Sequence, residues 1–333
     1  LDKHDELTPD EIIRRIKDAG ITGLGGAGFP THVKLNPPAS AKIDSVIINA
    51  VECEPYITSD YRLMIEYADE ILVGVKLLLR AVSAGHGYIG IEANKPKAIK
   101  LFMEKTTNDD FIKVVPLKQK YPQGGEKQLI DAVIRRQVPD PPAIPANVGA
   151  VVVNVGTAFA VYQAVMKNKP LFERYTSVTG KKIKQPKNFL VRIGTPISQL
   201  IDACGGLPEG DNKVIAGGPM MGRALMNTDV PVCKGTNSIT VLSGKEARRN
   251  KKVGPCIRCA KCVGVCPMGL EPYVLATSSA AHNWAKAEEH FITSCIECGS
   301  CQYTCPANRP MLDNIRLGKS KVTALIKARK QKQ

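Results

Sequence analysis

Cys256-x-x-Cys259-x-x-Cys262-x-x-x-Cys266-Pro267 and Cys295-x-x-Cys298-x-x-Cys301-x-x-x-Cys305-Pro306 are two near-identical cysteine runs in the C-terminal part of this chain. Each run supplies four thiolates at the spacing that binds a cubane iron–sulfur cluster, with proline after the fourth. In ferredoxins with two such runs, the fourth cysteine crosses over to the other cluster. The spacing therefore predicts two [4Fe-4S] clusters, one on Cys256, Cys259, Cys262 and Cys305 and the other on Cys295, Cys298, Cys301 and Cys266.

Two other uses of cysteine fit the runs less well. Zinc takes two Cys pairs in a tetrahedral site, and a third cysteine three residues later has no role there. Disulfides would indicate a small secreted scaffold, which a chain of 333 residues does not need. The other three cysteines, Cys53, Cys204 and Cys233, are expected to be small buried apolar residues.

Composition limits the class of protein. The length predicts about two domains, and 44% hydrophobic residues is ordinary for a globular core. Eight of the eleven cysteines lie in the two runs, which favours a reducing, cytoplasmic compartment. The formal charge of +15 fits an acidic redox partner or an anionic membrane surface. Nucleic acid is not expected, because aromatics are 5% and no basic–aromatic motif is present.

No stretch of the sequence reads as a transmembrane helix or a signal peptide. The most apolar stretches, residues 71–82 and 150–166, are too short or are interrupted by polar residues. The chain starts at Leu1 without a methionine, and we expect it to be part of a longer protein.

Short apolar runs alternate with helical patterns in the N-terminal half. Strands are predicted at residues 45–50, 88–92, 113–117 and 151–155. Helices are predicted at residues 9–19, 62–84, 96–105, 126–136 and 157–167. Thr8-Pro9-Asp10-Glu11 carries the start signals of the first helix. This alternation predicts an α/β domain with a largely parallel sheet covered by helices, to which we assign residues 1–180.

Two smaller regions follow. Residues 187–243 contain a strand–helix–strand pattern, and residues 255–318 hold both cysteine runs, with helical patterns at 271–281 and 285–292 between them. Residues 319–333 are basic and are predicted to be a solvated helix end that leads into a tail.

Gly23-Leu24-Gly25-Gly26-Ala27-Gly28-Phe29-Pro30 is a second informative motif. It does not fit a Rossmann fingerprint, which must leave a strand and open a helix, because this loop follows a helix. It does not fit a P-loop either, since no Gly-Lys-Ser/Thr closes it. What remains is a flexible loop whose backbone N–H groups can approach a flat or phosphorylated ligand closely, and Lys34, just beyond it in the sequence, is suited to a phosphate.

Four segments carry a resemblance to a known family. The glycine loop with Lys34 is similar to the flavin loop of the NADH-oxidising subunit of respiratory complex I. Asn49-Ala50-Val51-Glu52-Cys53-Glu54-Pro55, Tyr121-Pro122-Gln123-Gly124-Gly125-Glu126-Lys127 and Asn154-Val155-Gly156-Thr157 resemble its other site segments. The complex I subunit, however, carries one cluster in its C-terminal part, whereas this chain carries two cysteine runs there. The two cysteine runs, the loop Pro122-Gln123-Gly124-Gly125-Glu126-Lys127 and the segment Val214-Ile215-Ala216-Gly217-Gly218-Pro219-Met220-Met221-Gly222 together resemble the C subunits of Rnf complexes more closely. In that family another small domain normally precedes the flavin domain.

The resemblance implies an FMN-binding parallel-sheet domain, a small β-grasp (SLBB-like) module and an α-helical two-cluster ferredoxin-like domain. It implies FMN contacts from Gly25, Gly26, Gly28, Lys34, Asn49, Glu52, Tyr121, Gly124, Asn154 and Thr157. It implies NAD(H) contacts from Phe29, Glu54, Glu126 and Lys127.

Structural roles stay open for three of these residues. Glu52 and Glu54 could cap a helix near Thr58 or pair with Lys34 or Arg62, and Phe29 could be a core aromatic. Beside a glycine loop and the resemblance, we expect the two glutamates to contact a ligand.

The resemblance implies a function that agrees with redox chemistry. NADH gives up electrons in pairs as hydride and a cluster takes one at a time, so a flavin must lie between them. We therefore expect a peripheral NADH/FMN subunit of a membrane-bound, ion-translocating ferredoxin:NAD+ oxidoreductase, at the cytoplasmic face of the membrane. Its partners would be a ferredoxin-like iron–sulfur subunit, the membrane subunits and, indirectly, ferredoxin. The alternatives are a soluble NADH-dependent protein that feeds an amino-acid reductase and a non-catalytic electron relay.

Overall fold

The structure, a computed structural model, describes residues 6–38, 40–247 and 252–331. The described chain divides into two compact units. The first holds residues 6–38, 40–139 and 143–247, and the second holds residues 140–142 and 252–331.

A four-stranded parallel sheet forms the centre of the first unit. Its strands are β1 (Ser45–Ala50), β2 (His86–Glu92), β3 (Ile112–Leu117) and β4 (Ala150–Asn154), in the order β3-β2-β1-β4. All three strand pairs are parallel, with Ile47 of β1 opposite Tyr88 of β2 and Val152 of β4. The predicted parallel sheet is confirmed.

Seven helices belong to this part of the unit: α1 (Pro9–Asp18), α2 (Thr31–Lys34), α3 (Ser59–Glu66), α4 (Ala68–Ala81), α5 (Pro96–Lys105), α6 (Glu126–Ile134) and α7 (Val155–Lys167). Val46 and Ile48 of β1 belong to the core that includes α1, α4 and α7. Ile47 points the other way and packs with Leu129 and Ile130 of α6. The sheet is therefore buried on both faces, as parallel sheets usually are.

Local signals place α1 as predicted, whereas the long helix predicted at residues 62–84 is wrong. Thr8 and Glu11 form a reciprocal capping box at the start of α1. Tyr67 leaves helical geometry between α3 and α4, with φ −131° and ψ 39°. The break brings its ring to 4.9 Å from that of Phe159 and 6.0 Å from that of Tyr175. Aromatic packing, which the local pattern does not show, accompanies this break.

A glycine lets α4 and α7 approach closely. A Cβ atom at Gly74 would lie 2.0 Å from the carbonyl oxygen of Ala158, so no larger residue fits without moving a helix.

A five-stranded mixed sheet forms the rest of the first unit. Its strands are β5 (Glu173–Thr179), β6 (Lys187–Arg192), β7 (Asn212–Ala216), β8 (Arg223–Ala224) and β9 (Ser238–Ser243), in the order β6-β5-β9-β7-β8. Helix α8 (Ile197–Asp202) packs on it with Val178, Val191 and Val241. The predicted strand–helix–strand pattern is present in β6, α8 and β7. The sequence pattern misses β5, β8 and β9.

Five helices build the second unit: α9 (Lys261–Gly264), α10 (Pro272–Ala280), α11 (Trp284–Glu289), α12 (Ser300–Thr304) and α13 (Met311–Gln331). The short helices α9 and α12 hold the third cysteine of each run. They start alike, because Ala260 and Gly299 both have positive φ, and Arg258 and Glu297 share the same feature two residues earlier. The sequence repeat is therefore also a repeat of backbone conformation.

Helix α13 runs without interruption across residue 318, the predicted end of the cluster domain. It packs closely on α10, because a Cβ at Gly318 would lie 2.0 Å from Oγ of Ser279. In the described part of the chain, no helix is long and apolar enough to cross a membrane. Of the three remaining cysteines, Cys204 is buried, whereas Cys53 is half-buried and Cys233 is exposed, contrary to expectation.

Candidate cofactor sites

The glycine loop presents its backbone to open space. It is closed by a 2.8 Å bond from the amide of Gly23 to the carbonyl of Phe29. Gly26 and Gly28 have φ of +116° and +67°, and a Cβ added at either would meet no atom within 4 Å. The amides of residues 25–28 donate no hydrogen bond to the described residues. A run of free amides in such a conformation can bind an anion or a polar ring edge.

The carboxyl ends of β1 and β4 lie beside this loop. Asn154, at the end of β4, accepts a 2.9 Å bond from the amide of Gly156 and caps α7. A Cβ at Gly25 would lie 3.5 Å from Cβ of Asn154. Thr157 is buried, and its hydroxyl accepts a 2.9 Å bond from the amide of Leu24. Ligands of open parallel sheets bind at this edge, where the strands end.

The second glycine segment packs against the end of β1. Asn49 donates a 2.8 Å bond to the carbonyl of Gly124. A Cβ at Gly124 would lie 3.3 Å from the sulfur of Cys53, which explains the close approach of the two segments. Tyr121 begins the segment with a cis bond to Pro122. The structure therefore brings Asn49, Tyr121 and Gly124 to one edge of the sheet.

Lys34 and Glu126 form an ion pair. Nζ of Lys34 lies 2.8 Å from Oε1 of Glu126 and donates a 3.0 Å bond to the carbonyl of Val152. The resemblance gives these two side chains to different ligands, FMN and NAD(H). Their pairing joins the two expected subsites in this structure.

Glu52 caps a helix, which is the structural alternative that the sequence leaves open. Its carboxyl oxygens accept bonds from the amides of Asp60 (2.7 Å) and Tyr61 (3.2 Å) at the start of α3. Burial, then the charge of Asp60, raises the pKa of Glu52 to about 8, and Lys95 offsets part of the rise. A cap does not exclude a ligand contact, so the FMN role of Glu52 stays a prediction.

Glu54 binds the loop that follows β7. Its two oxygens accept the amides of Met220 (3.0 Å) and Met221 (2.7 Å). Burial raises the pKa of Glu54, and these two bonds lower it in part. A direct contact with NAD(H) would have to share these oxygens, and this role also stays a prediction.

The other two expected NAD(H) residues lie at the surface. Phe29 is 49% exposed and so is not a core aromatic. Lys127 donates a 2.8 Å bond to the carbonyl of Pro139.

Four charged residues near the site have no role predicted from the sequence. Asp60 is half-buried, its carboxyl group accepts a 2.7 Å bond from Asn154, and loss of solvent around that group raises its pKa. Lys95 and Glu92 are buried, and Lys95 donates a 2.8 Å bond to the carbonyl of Val51. Arg174, on β5, is 4% exposed. Glu92 ends a buried strand and Lys95 follows it by three residues, and this position is a signal that could have found the pair.

The residues of the loop fit FMN. The free amides of residues 25–28 can bind the phosphate and polar atoms of the ligand, and the glycines leave the space that a Cβ would fill. The hydroxyl of Thr22, buried at the start of the loop, has no hydrogen-bond partner among the described residues. The donor set therefore suits a phosphorylated ligand with polar edges.

The second cysteine run lines a small, partly open cavity. Cys295, Cys298 and Cys301 line it together with Cys266 of the first run, and Leu275 and Ile315 supply apolar walls. Burial raises the pKa of Cys295 to about 11 and of Cys301 to about 12. Buried thiols of this kind ionise when a metal binds them. The four sulfurs are the set that the crossover pattern predicts for the second cluster.

The first run is more open. Cys256 and Cys259 are exposed, and a bond from the amide of Arg258 lowers the pKa of Cys256, as does the side chain of Arg309. Burial raises the pKa of Cys262, and Cys305 of the second run is close enough to raise it further. In the described residues, no three His, Cys, Asp or Glu side chains converge on a single ion. A cubane binds its four cysteines at four separate irons, so its ligands need not converge.

Lys319 and Arg316 of α13 surround Glu297, which lies between Cys295 and Cys298. Nζ of Lys319 lies 3.1 Å from Glu297 and donates a 2.6 Å bond to the carbonyl of Cys295. Nε of Arg316 lies 3.2 Å from Glu297. The last helix thus fixes the backbone of the second run.

Three family models match the chain in succession. Residues 16–163 match the Nuo51 FMN-binding domain, residues 175–224 match the SLBB domain, and residues 248–306 match the 4Fe-4S dicluster domain. The chain thus has the expected α/β flavin domain, SLBB module and two-cluster domain.

Solved structures show the same fold. A chain of an NAD+-reducing [NiFe]-hydrogenase in the H2-reduced state aligns with a TM-score of 0.61 and 20% identity, over 95% of this chain and 60% of that chain. The air-oxidized state gives 0.58 and 21%, over 87% and 51%.

Curated relatives cover nearly the whole chain. The C subunit of the Na(+)-translocating ferredoxin:NAD(+) oxidoreductase complex of Acetobacterium woodii is 45% identical over 96% of this chain and 72% of its own length. The C subunit of the proton-translocating complex of Clostridium ljungdahlii is 45% identical over 86% of this chain. The C subunit of the ion-translocating oxidoreductase complex of Rhodobacter capsulatus is 40% identical over 96% of this chain. This chain spans 62% and 61% of the lengths of the latter two. The chain belongs to the family of Rnf complex C subunits.

Proposed function

We propose that this chain is the peripheral NADH- and FMN-binding subunit of a membrane-bound, ion-translocating ferredoxin:NAD+ oxidoreductase. It would move electrons between NAD(H), FMN and two [4Fe-4S] clusters. The observation that carries the proposal is the combination, in one chain, of an open glycine loop beside the strand ends and two interleaved cysteine runs. The names of the relatives support the same activity.

The flavin site would be built by the strand ends and the two glycine segments. FMN, when bound, accepts electrons in pairs from NADH and passes them on singly. The amides of Gly25, Gly26 and Gly28 and the ammonium of Lys34 would hold its phosphate and ribityl region. The rest of its site would be lined by Asn49, Glu52, Tyr121, Gly124, Asn154 and Thr157.

NAD(H) would bind beside the exposed ring of Phe29. Glu126 and Lys127 start helix α6 next to the second glycine segment, and Glu54 fixes the neighbouring Met220-Met221 loop. These side chains would orient the nucleotide. They need not transfer a proton, because hydride transfer requires no acid–base group from the protein.

The two cysteine sets would each hold one cluster. Cys256, Cys259, Cys262 and Cys305 form the first set, and Cys295, Cys298, Cys301 and Cys266 form the second. The cavity shared by Cys266 and the second run supports the crossover. The buried walls of that cavity would shield the second cluster from water, which is one of the factors that sets a cluster potential.

The partners and location are part of the proposal. The +15 charge would suit the cytoplasmic face of an anionic membrane, where the chain would bind the membrane subunits and the ferredoxin-like subunit of the complex. Residues 1–180, 187–243 and 255–318 would be its functional domains, with 319–333 as a basic end. No nucleic-acid partner is proposed.

An anaerobic spectroscopic titration tests the function. The chain, loaded with FMN and iron–sulfur clusters, should lose its flavin absorbance on addition of NADH and then develop the EPR signals of reduced clusters. Flavin that stays oxidised with excess NADH would refute the proposal. The soluble alternative, a protein feeding an amino-acid reductase, is not favoured, because the relatives above are subunits of translocating complexes.

A further inference from the structure

The five-stranded sheet reaches across to the glycine loop at several points. Nζ of Lys234, in the loop before β9, donates a 2.7 Å bond to the carbonyl of Gly20. Gly235 follows, and a Cβ there would lie 3.0 Å from the carbonyl oxygen of Gly26. Residues 234–235 thus contact the backbone on both sides of the start of the glycine loop.

Arg174 of β5 donates hydrogen bonds both to the glycine loop and to the loop before β9. Its guanidinium donates to the carbonyl of Lys234 and, over 3.3 Å, to the carbonyl of Leu24. Its Nε donates a 3.1 Å bond to the carbonyl of Tyr175. All three acceptors are backbone carbonyls, so the side chain fixes main-chain positions and not another side chain.

Burial destabilises the charged form of Arg174. Burial lowers the pKa of Arg174 to about 10, and the charge of Asp60 offsets part of the effect. A charged group is taken out of water at a large free-energy cost unless hydrogen bonds compensate it. The hydrogen bonds that compensate this cost go to the glycine loop and to the loop before β9. They are kept only while both loops stay in place, so the guanidinium couples the positions of the two loops.

The backbone of Leu24 is bound from two sides. Its amide donates to the hydroxyl of Thr157 on α7, and its carbonyl accepts from Arg174. Its two polar backbone atoms are therefore bound, one by the flavin domain and one by the five-stranded sheet. The next residue, Gly25, starts the run of free amides.

We propose that the five-stranded sheet acts as a clamp on the flavin loop, with Arg174 and Lys234 as positioning residues that hold the free amides of residues 25–28 ready for FMN. This inference rests on the proposed function, because it takes the glycine loop as the FMN site. Pre-set amides bind a ligand more tightly than amides that must first be ordered. The affinity for FMN is thus set in part from outside the flavin domain.

Four variants of the full chain, with its clusters in place, test the clamp. Lys234→Met removes one contact from a half-buried side chain, and Arg174→Gln removes the guanidinium. Arg174→Lys keeps the charge but can reach fewer carbonyls. Arg192→Gln changes an exposed arginine of the same sheet and serves as the control.

The measurement is the FMN dissociation constant of each deflavinated variant, followed by quenching of FMN fluorescence, together with the FMN midpoint potential and the iron content. We expect Lys234→Met and Arg174→Gln to weaken FMN binding by about tenfold or more, the loss from one charge-assisted hydrogen bond. Arg174→Lys should restore part of the affinity, Arg192→Gln should bind within about twofold of the wild type, and all should keep their iron.

Two results would count against different claims. If the wild type binds FMN and Lys234→Met and Arg174→Gln bind it equally well with an unchanged potential, the clamp is refuted while the proposed function stands. A wild-type chain that binds no FMN would refute the proposed function and the clamp with it. Should Arg174→Gln fail to fold, Lys234→Met alone decides, because its side chain is partly exposed.

Discussion

Replacing Glu52 by glutamine should remove a pH-dependent loss of stability at the start of α3. Its pKa of about 8, against an ordinary value of 4.5, means that the folded chain keeps a proton that the unfolded chain releases at lower pH. Stability must therefore fall as pH rises from 4.5 to 8. At about 1.4 kcal/mol for each pH unit, the loss is about 3 kcal/mol at pH 7 and about 5 kcal/mol above pH 8.

The glutamine side chain keeps one oxygen for the amides of Asp60 and Tyr61 and points an NH2 group at the other amide. Losing one cap bond costs about 1 kcal/mol. Glu52→Gln should therefore match the wild type near pH 5 and exceed its stability by about 2 kcal/mol at pH 7.

Hydrogen exchange measured by mass spectrometry reports this locally. The protection free energy of peptides covering residues 52–66 should decline with pH in the wild type and stay nearly level in Glu52→Gln, after correction for intrinsic exchange. Glu66→Gln, an exposed carboxylate on the same helix that pairs with Arg62, is the matched control and should follow the wild type. Parallel pH curves for the wild type and Glu52→Gln would refute the reasoning.

Three further changes probe other parts of the chain. Gly318→Ala puts a Cβ 2.0 Å from a serine oxygen of α10, and overpacking should lower the stability of the second unit by about 1–3 kcal/mol. The fluorescence of Trp284, the one tryptophan, follows that unfolding, and an unchanged midpoint would contradict the close packing. Cys266→Ser should reduce the iron content from about eight to about four atoms and abolish the same EPR signal as Cys301→Ser, and loss of a different signal would exclude the crossover. Lys34→Met should weaken FMN binding by about tenfold in a fluorescence titration, and equal affinity would exclude its phosphate role.

Local signals account for the parts of the fold that the sequence predicts. The capping box at Thr8 and Glu11 places α1, and short apolar runs place β1 to β4. Strand β5, with the sequence Glu-Arg-Tyr-Thr-Ser-Val-Thr, escapes prediction because its polar side chains are buried by tertiary contacts. The break at Tyr67 escapes for a related reason, since the apolar helical pattern continues through it.

The candidate site likewise has features that the sequence predicts and features that it does not. Glycine spacing and cysteine spacing are local and are visible in the sequence. The pairing of Lys34 with Glu126 joins residues 92 apart, and the bond of Arg174 to Leu24 joins residues 150 apart. No local pattern indicates such contacts. Glu52 shows the opposite case, where the helix-capping alternative was visible beforehand and is what the structure contains.

The bond between Lys234 and Gly20 spans 214 residues and has a consequence for biosynthesis. The ribosome releases the glycine loop early, but the side chain that binds Gly20, just before the loop, emerges only after the whole flavin domain has been made. During that interval the loop lacks its later partners, and a nascent chain can form the parallel sheet before its flavin loop is complete. Flavin insertion should therefore follow the synthesis of Lys234, in the loop before β9.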